Sequence, residues 1–312
     1  MRVFVAGASG VIGPVLVPML VREGHQVSAM TRTPRKVDGL EAMGADPVLC
    51  DVLDAERTRD AVVAARPDVV IQHLTHLPQR MTPWNVKKGY ANNDRVRGEG
   101  SANLVRAAEA AGATRFVAQN VSFMYRPAGP WILDETAPLW TDAPEPFGTS
   151  IRLHDRMEHN IVDNPNLEGL VLRFGFWYGP GTAFAHDGYY AGLVRRRMFP
   201  LVGDGTGRAQ FVHVDDVAEA TIAAMTNGGP GRYNITDDDP APLREWLPEY
   251  ARALGAKPPR HVPMWMARML TGSFVLNQAT IMRGASNQKA KRELDWKPRY
   301  ASWREGFKTA LG

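Results

Sequence analysis

Residues 7 to 13 read GASGVIG, with Gly7, Gly10 and Gly13 at every third position. Glycines so spaced let a backbone turn tightly. They also let a pyrophosphate approach the N-terminus of a following helix, where unpaired N–H groups and the helix dipole favour an anion. The next residues with chemistry to offer are Thr31, Arg32, Arg35 and Lys36. A carboxylate at the end of a second strand binds the adenosine ribose 2′-hydroxyl of NAD. Thr31 followed by cations suits a 2′-phosphate instead, which favours NADP(H) over NAD(H). The same cations also read as a solvated basic loop. Asp51 is placed either to accept from the adenine amino group or to cap the helix after it.

Such a site needs strands and helices in alternation, and the first half of the chain supplies them. Val3–Ala6, Gln26–Met30, Pro47–Leu49, Asp68–Ile71, Arg115–Ala118 and Leu170–Arg173 have buried-strand patterns. Between them Val11–Arg22, Ala55–Ala65, Asn92–Ala111 and Phe147–Val162 read as helices. Parallel strands need crossovers, so this alternation predicts a Rossmann-type α/β fold, a doubly wound parallel sheet with helices on both faces. The glycine run falls at strand–turn–helix, which makes a weak motif specific. Further on, Ala183–Pro200 is expected to cross back over the sheet edge. Val214–Met225 is a helix opened by Asp215 and Asp216, and prolines break the chain from Asn227 onward into short helices. The predicted division is 1–174 with 205–226 for the dinucleotide domain. Residues 175–204 and 227–312 form a smaller, mostly helical substrate lobe.

The GASGVIG loop, the Asp51-Val52 pair and the run HLTHLP at His73 to Pro78 combine with FVAQNVSFMY, LRFGFWYGPGT and FVHVDDVAEA. Together they resemble the extended short-chain dehydrogenase/reductase superfamily, also called the NAD-dependent epimerase/dehydratase family. The resemblance runs from Met1 to about Asn234 and more loosely beyond. It is specific for fold and cofactor and poor for substrate. It implies cofactor contacts at Gly7, Ser9, Gly10, Val11, Ile12, Gly13, Arg32, Arg35, Asp51, Val52, Leu74, Thr75, Asn120, Ile151 and Phe176. It implies a substrate pocket at His76, Phe147, Trp177 and His186, and a homodimer through the helices Asn92–Ala111 and Phe147–Val162.

In that family a Ser/Thr binds the substrate oxygen, a Tyr passes its proton, and a Lys four residues later lowers the tyrosine pKa. The matching helix start here is FGTSIRLHD, with Phe147 for the tyrosine and Ile151 for the lysine. Asn120 and Val121 sit where the family has its serine pair, and Ser122 follows one place later. A phenyl ring has no proton to give, and an isoleucine has no charge to depress a neighbour's pKa. Ser122 and Tyr125 are the candidates left for catalysis, each with a plain structural alternative: a loop serine bonded to backbone, and a tyrosine that closes its motif. His186 and Asp187 are further acid–base candidates in the substrate-side segment. Gly175 lacks the amide that sugar-nucleotide enzymes carry at this point, between aromatics Phe174 and Phe176-Trp177. With the Met/Trp-rich run from Met264 to Leu270, this points to an apolar or aromatic metabolite.

Composition bounds the alternatives. The chain has 312 residues and a net charge of +4, with both signs interspersed, which argues against nucleic acid as partner. The single cysteine, Cys50, excludes an intrachain disulfide and a cysteine-based metal site, and suits a reducing cytoplasm. No metal is expected, and no stretch is apolar for long enough to span a membrane. The expected activity is that of an atypical NADP(H)-dependent oxidoreductase on a small molecule. Two alternatives stand beside it: a non-redox lyase, isomerase or cyclase with the cofactor held structurally, and a non-catalytic NADP-binding sensor.

Overall fold

The computed structural model describes residues 1–76, 86–270 and 273–311, without the side chains of 86–88, 270, 273–275 and 311. Leu77 and Pro78 of the HLTHLP run therefore lie outside the described residues, as does the side chain of Leu270. The chain begins β1 (Arg2–Ala6), α1 (Gly13–Arg22), β2 (Gln26–Thr31), α2 (Val37–Ala42), β3 (Asp46–Leu49), α3 (Ala55–Ala65), β4 (Val69–Gln72) and α4 (Val86–Arg95). A wider π turn at Val96–Gly100 leads into α5 (Ser101–Ala110). There follow β5 (Arg115–Val121), β6 (Ile132–Leu133), α6 (Phe147–Val162), β7 (Glu168–Phe174), β8 (Phe176–Tyr178), α7 (Tyr189–Arg195), β9 (Leu201–Val202), β10 (Arg208–Ala209), β11 (Phe211–His213), α8 (Val214–Ala223) and β12 (Gly231–Ile235). Short helices and strands then run to a last helix at Trp303–Leu311.

Seven strands form one parallel sheet in the order β12-β7-β5-β4-β1-β2-β3. The strand order reverses beside β1, so the ends of β2 and β4 flank the turn that leaves β1. That crevice is where an open α/β sheet binds its ligand. β4 reads VVIQ and is buried at every residue, as befits a strand covered on both faces. One face packs on α1 and α8, through residues such as Val5, Leu16, Ile71 and Val217. The other packs on α3, α5 and α6, through Phe4, Val62, Leu104, Phe116 and Met157. Asp54 caps α3 by accepting from the Arg57 N–H at 3.0 Å.

Two sequence expectations need correction. The stretch expected as one helix from Asn92 to Ala111 is α4 and α5 joined through the π turn. Gly231–Ile235, assigned above to the C-terminal lobe, is instead the edge strand of the main sheet, parallel to β7. Much of the C-terminal lobe packs around a separate aromatic cluster that includes Tyr178, Phe211, Trp246, Tyr250, Trp303 and Phe307, while Ala290, Leu294 and Trp296 join the core of the main sheet. Buried carboxylates tie its tail to the sheet domain. Asp216 accepts from the Arg299 and Tyr300 backbone N–H groups at 2.6 and 3.1 Å, and Asp237 accepts from that of Trp303 at 2.8 Å. Among the described residues no helix is long and apolar enough to cross a membrane.

Candidate active site and dinucleotide crevice

The crevice is built by the ends of four strands. Gly7 leaves β1 at φ +92°, and a Cβ there would stand 2.5 Å from the His73 carbonyl oxygen at the end of β4. Only glycine permits both that backbone and that approach. Gly13 opens α1, and a Cβ there would fall 1.6 Å from the Ala8 carbonyl oxygen. No side chain caps the start of α1; Pro14 has no N–H and those of Val15 and Leu16 donate to the Ile12 carbonyl, so the Gly13 N–H and the helix dipole remain for an anion. The turn is braced to β2: Ser9 Oγ meets Thr31 Oγ1 at 2.9 Å, and Lys36 Nζ donates to the Ser9 carbonyl at 2.6 Å.

These residues wall a pocket of about 200 Å³. Gly7, Ser9, Gly10, Arg32, Asp51, Val52, Leu74 and Thr75, all expected from the sequence, line it. Met30, Thr33, Lys36, Cys50, His73 and Val96 line it as well. Arg35 lies in the exposed turn Pro34–Lys36 and is not among the lining residues; Lys36, one place on, is. Val11 is exposed, Ile12 packs into the core, and Gly13 acts through the helix start rather than the pocket wall. Asp51 Oδ1 accepts from the Leu53 N–H at 3.0 Å. The pocket fits an adenine dinucleotide: a glycine cradle at a helix start, polar groups for a ribose, and cations beside it.

Farther along the sheet lies the corner that should hold chemistry. Val121, Phe147 and Ile151 pack in one apolar cluster with Met124, Leu139 and Trp140. The three positions that the resemblance assigns to serine, tyrosine and lysine thus form a hydrophobic wall. Ser122 lies in the turn just after β5 and faces β7 and Gln210. It is buried, donates to the Phe174 carbonyl at 3.1 Å and accepts from Gln210 Nε2 at 2.9 Å. Tyr125 is buried too, donating to Asn234 Oδ1 at 2.8 Å and accepting from Arg173 Nη1 at 2.9 Å. Burial pushes its phenol up to about 12. Neither hydroxyl lines the dinucleotide pocket. Asn120 spends its amide on Glu158 Oε1 at 2.6 Å and His154 Nδ1 at 2.5 Å. Burial and the charge of Arg97 hold His154 well below the ordinary imidazole value, so it is neutral.

The residues expected in the substrate pocket fall in different settings. Phe147 stands at the apolar corner. Trp177 packs edge-on to His73, ring centres 6.1 Å apart. His73 is neutral, pushed by burial to about 4. His186 is held through its ring by Arg195 Nη2 at 2.7 Å in the C-terminal lobe. His76 lies 3.4 Å from Arg32 Nη1, where the ends of β2 and β4 face each other across β1. Phe176 stacks on Phe123 at 4.8 Å with the rings parallel. Phe123 also touches the corner cluster, so an aromatic path runs from the corner through Phe176 and Phe184 to Tyr190. Sequence reasoning missed Phe123, which lies in the turn after β5, where no strand or helix period gives a signal. Trp265 and Met269 of the Met/Trp-rich helix are 63% and 70% exposed, so that face turns outward.

The sequence model of the NAD dependent epimerase/dehydratase family matches residues 3–236. The chain belongs to that family. Within it, the chain is 47% identical over 309 residues to the 3-diazoavenalumate denitrifying reductase of a Streptomyces species, covering 98% of this chain and 99% of the relative. Among solved structures it resembles the UDP-glucose 4-epimerase of Thermotoga maritima with UDP-glucose, at a TM-score of 0.78 and 21% identity, covering 100% of this chain and 97% of that one. It also resembles the Thermus thermophilus UDP-glucose 4-epimerase in complex with NAD, at 0.74 and 22%, covering 100% and 98%. At these identities the solved structures establish the fold alone. This family member is an NAD(P)-dependent enzyme of reductase and epimerase type.

Proposed function

We propose that this enzyme reduces a small aromatic acceptor with NADPH, and that the acceptor needs no proton from the protein. The observation that carries this reading is the apolar wall of Val121, Phe147 and Ile151 at the corner where the resemblance expects proton-transfer groups, in a chain whose glycine-turn crevice is intact. A carbonyl accepting hydride becomes an alkoxide and must be protonated, and general acid catalysis of that step is commonly worth about two to four orders of magnitude. A diazo substituent does not carry that requirement, and the 47% identical relative is named for a diazo substrate and its denitrification. When bound, the reduced dinucleotide supplies hydride, and the balance R–N2+ + NADPH → R–H + N2 + NADP+ closes with no proton drawn from a side chain. The wall then positions an aromatic ring by contact and keeps water from the cationic carbon. Phe123 and Phe176 supply flat faces for the ring. Ser122 and Tyr125 take structural roles in this reading.

NADP(H) is favoured over NAD(H) because Thr31 removes the carboxylate that would repel a phosphate, while Arg32 and Lys36 border the same pocket. The expected homodimer would meet on the hollow between α5 and α6, lined by Val105, Leu153, Met157 and Ile161 with Arg106 and Arg156.

The deciding experiment supplies NADPH and diazotised 3-aminobenzoate, with an enzyme-free control for spontaneous reduction. One N2 should evolve per NADPH oxidised. N2 release or rearrangement without NADPH consumption would reject the reductive reading in favour of non-redox chemistry. With this substrate kcat should stay level from about pH 6 to 9, because no tyrosine of lowered pKa titrates there. An acid limb that disappears in Phe147→Ala would show that the corner has been misassigned.

A further inference from the structure

Arg32 and His76 come from two different edges of the crevice and meet where β2 and β4 end, with Lys36 lining the pocket beside Arg32. Arg32 and Lys36 follow β2, and His76 follows β4 on the other side of the glycine turn. Arg32 Nη1 and His76 Nδ1 stand 3.4 Å apart, bridging the mouth over β1. His76 is held there through its backbone, whose N–H donates to Asn93 Oδ1 of α4 at 3.1 Å. Among the described residues the other charged group beside the imidazole is Asp51 beyond β3, which favours its protonated form, while partial burial and Arg32 prevail and lower its pKa. A neutral imidazole accepts from the guanidinium at that distance, whereas a protonated one is repelled by it; an anion set between the two groups would satisfy both as donors.

We infer that His76 is a third ligand of the cofactor's 2′-phosphate and sets the degree of preference for NADP(H). The inference rests on the NADP(H) reading and extends it from the end of β2 to the end of β4. A dianionic phosphate between Arg32 and His76 favours imidazolium, so binding the phosphorylated ligand takes up a proton. Preference for the 2′-phosphate should therefore strengthen as pH falls from about 8 to 6. The phosphate's own protonation near pH 6 opposes this, so the comparison must be between proteins at each pH.

Calorimetry with adenosine 2′,5′-bisphosphate against 5′-AMP isolates the 2′-phosphate and requires no turnover. At pH 6 the ratio of their affinities should fall about five- to tenfold in His76→Asn, and by less at pH 8, as a lost charge-assisted hydrogen bond at a half-exposed site requires. His76→Lys, charged throughout, should keep the ratio and remove the His76-dependent part of its pH profile. If wild type binds the two ligands equally at every pH, the NADP(H) reading itself fails. If wild type prefers the bisphosphate, Arg32→Ala lowers that preference and His76→Asn leaves it and its pH profile unchanged, only the role of His76 is overturned. Thermal melting of each variant without ligand checks that the crevice is intact.

Discussion

Gly7→Ala should cost this enzyme its cofactor, with affinity for NADPH falling more than about 100-fold, or about 2.8 kcal/mol at a tenfold change per 1.4 kcal/mol. The methyl group would sit 2.5 Å from the oxygen and 2.7 Å from the carbon of the His73 carbonyl. Neither atom can move without shifting the end of β4, which is locked in the sheet between β1 and β5. The left-handed φ of +92° adds backbone strain of about 1–2 kcal/mol for any residue with a Cβ. The turn must lift off β4, and Ser9, Gly10, Leu74 and Thr75 lose their register around the pocket. Gly24 provides the control. It has φ +81° but nothing within 4 Å of an added Cβ, so Gly24→Ala should carry strain and leave binding intact. Ligand-induced thermal stabilisation reports both. Undiminished stabilisation of Gly7→Ala by NADPH would mean the dinucleotide does not lie on this turn.

The frame of that site was readable from residue patterns because burial on both faces writes itself into a sequence. Ala55–Ala65 and Phe147–Val162 appear with the bounds their patterns predict. What escaped was what depends on neighbours distant in sequence. β12 reads GRYNI, a polar and glycine-containing run whose strand character comes from pairing with β7, not from its own pattern. The π turn at Val96–Gly100 changes helix register without any proline to announce it. Around the site, single-residue phase decided the outcome. Val121 ends β5 and Ser122 begins the turn after it, so one packs in the apolar corner while the other reaches Gln210 and the Phe174 carbonyl. Arg35 and Lys36 differ by one step in a tight turn, and only Lys36 reaches the Ser9 carbonyl. The sequence position of His76 does not reveal that the ends of β2 and β4 face each other across β1 and bring it against Arg32.

The apolar corner needs a rigid foundation, and Glu158→Ala should show where it lies, destabilising the fold by about 3–5 kcal/mol, the usual cost of breaking a buried ion pair from one side. Phe147, Ile151, His154 and Glu158 follow one another along the sheet-facing side of α6 at helical spacing. Glu158 is fully buried and ties the helix to three strands. It accepts from Asn120 of β5 at 2.6 Å, from Arg173 of β7 at 2.7 Å through Nε and again through Nη2, and from Arg232 of β12 at 2.9 Å. Burial alone would raise its carboxyl, but the hydrogen bonds and charge of Arg173 prevail and hold it below the ordinary range. Its folded value is therefore depressed. The stabilisation is complete above the unfolded carboxylate pKa of about 4.3 and is lost only as pH falls through the lower folded value. In Glu158→Ala the Arg173 guanidinium is left buried without its anion, and Tyr125 loses a fixed neighbour. Glu158→Gln keeps the volume but not the charge and should recover only a small part of the loss. Chemical denaturation at neutral pH measures both, and repeating it near pH 3 should shrink the gap between wild type and variant. A gap below about 1 kcal/mol at neutral pH, the range of an exposed pair, would mean the hub does not anchor α6 beneath Phe147 and Ile151.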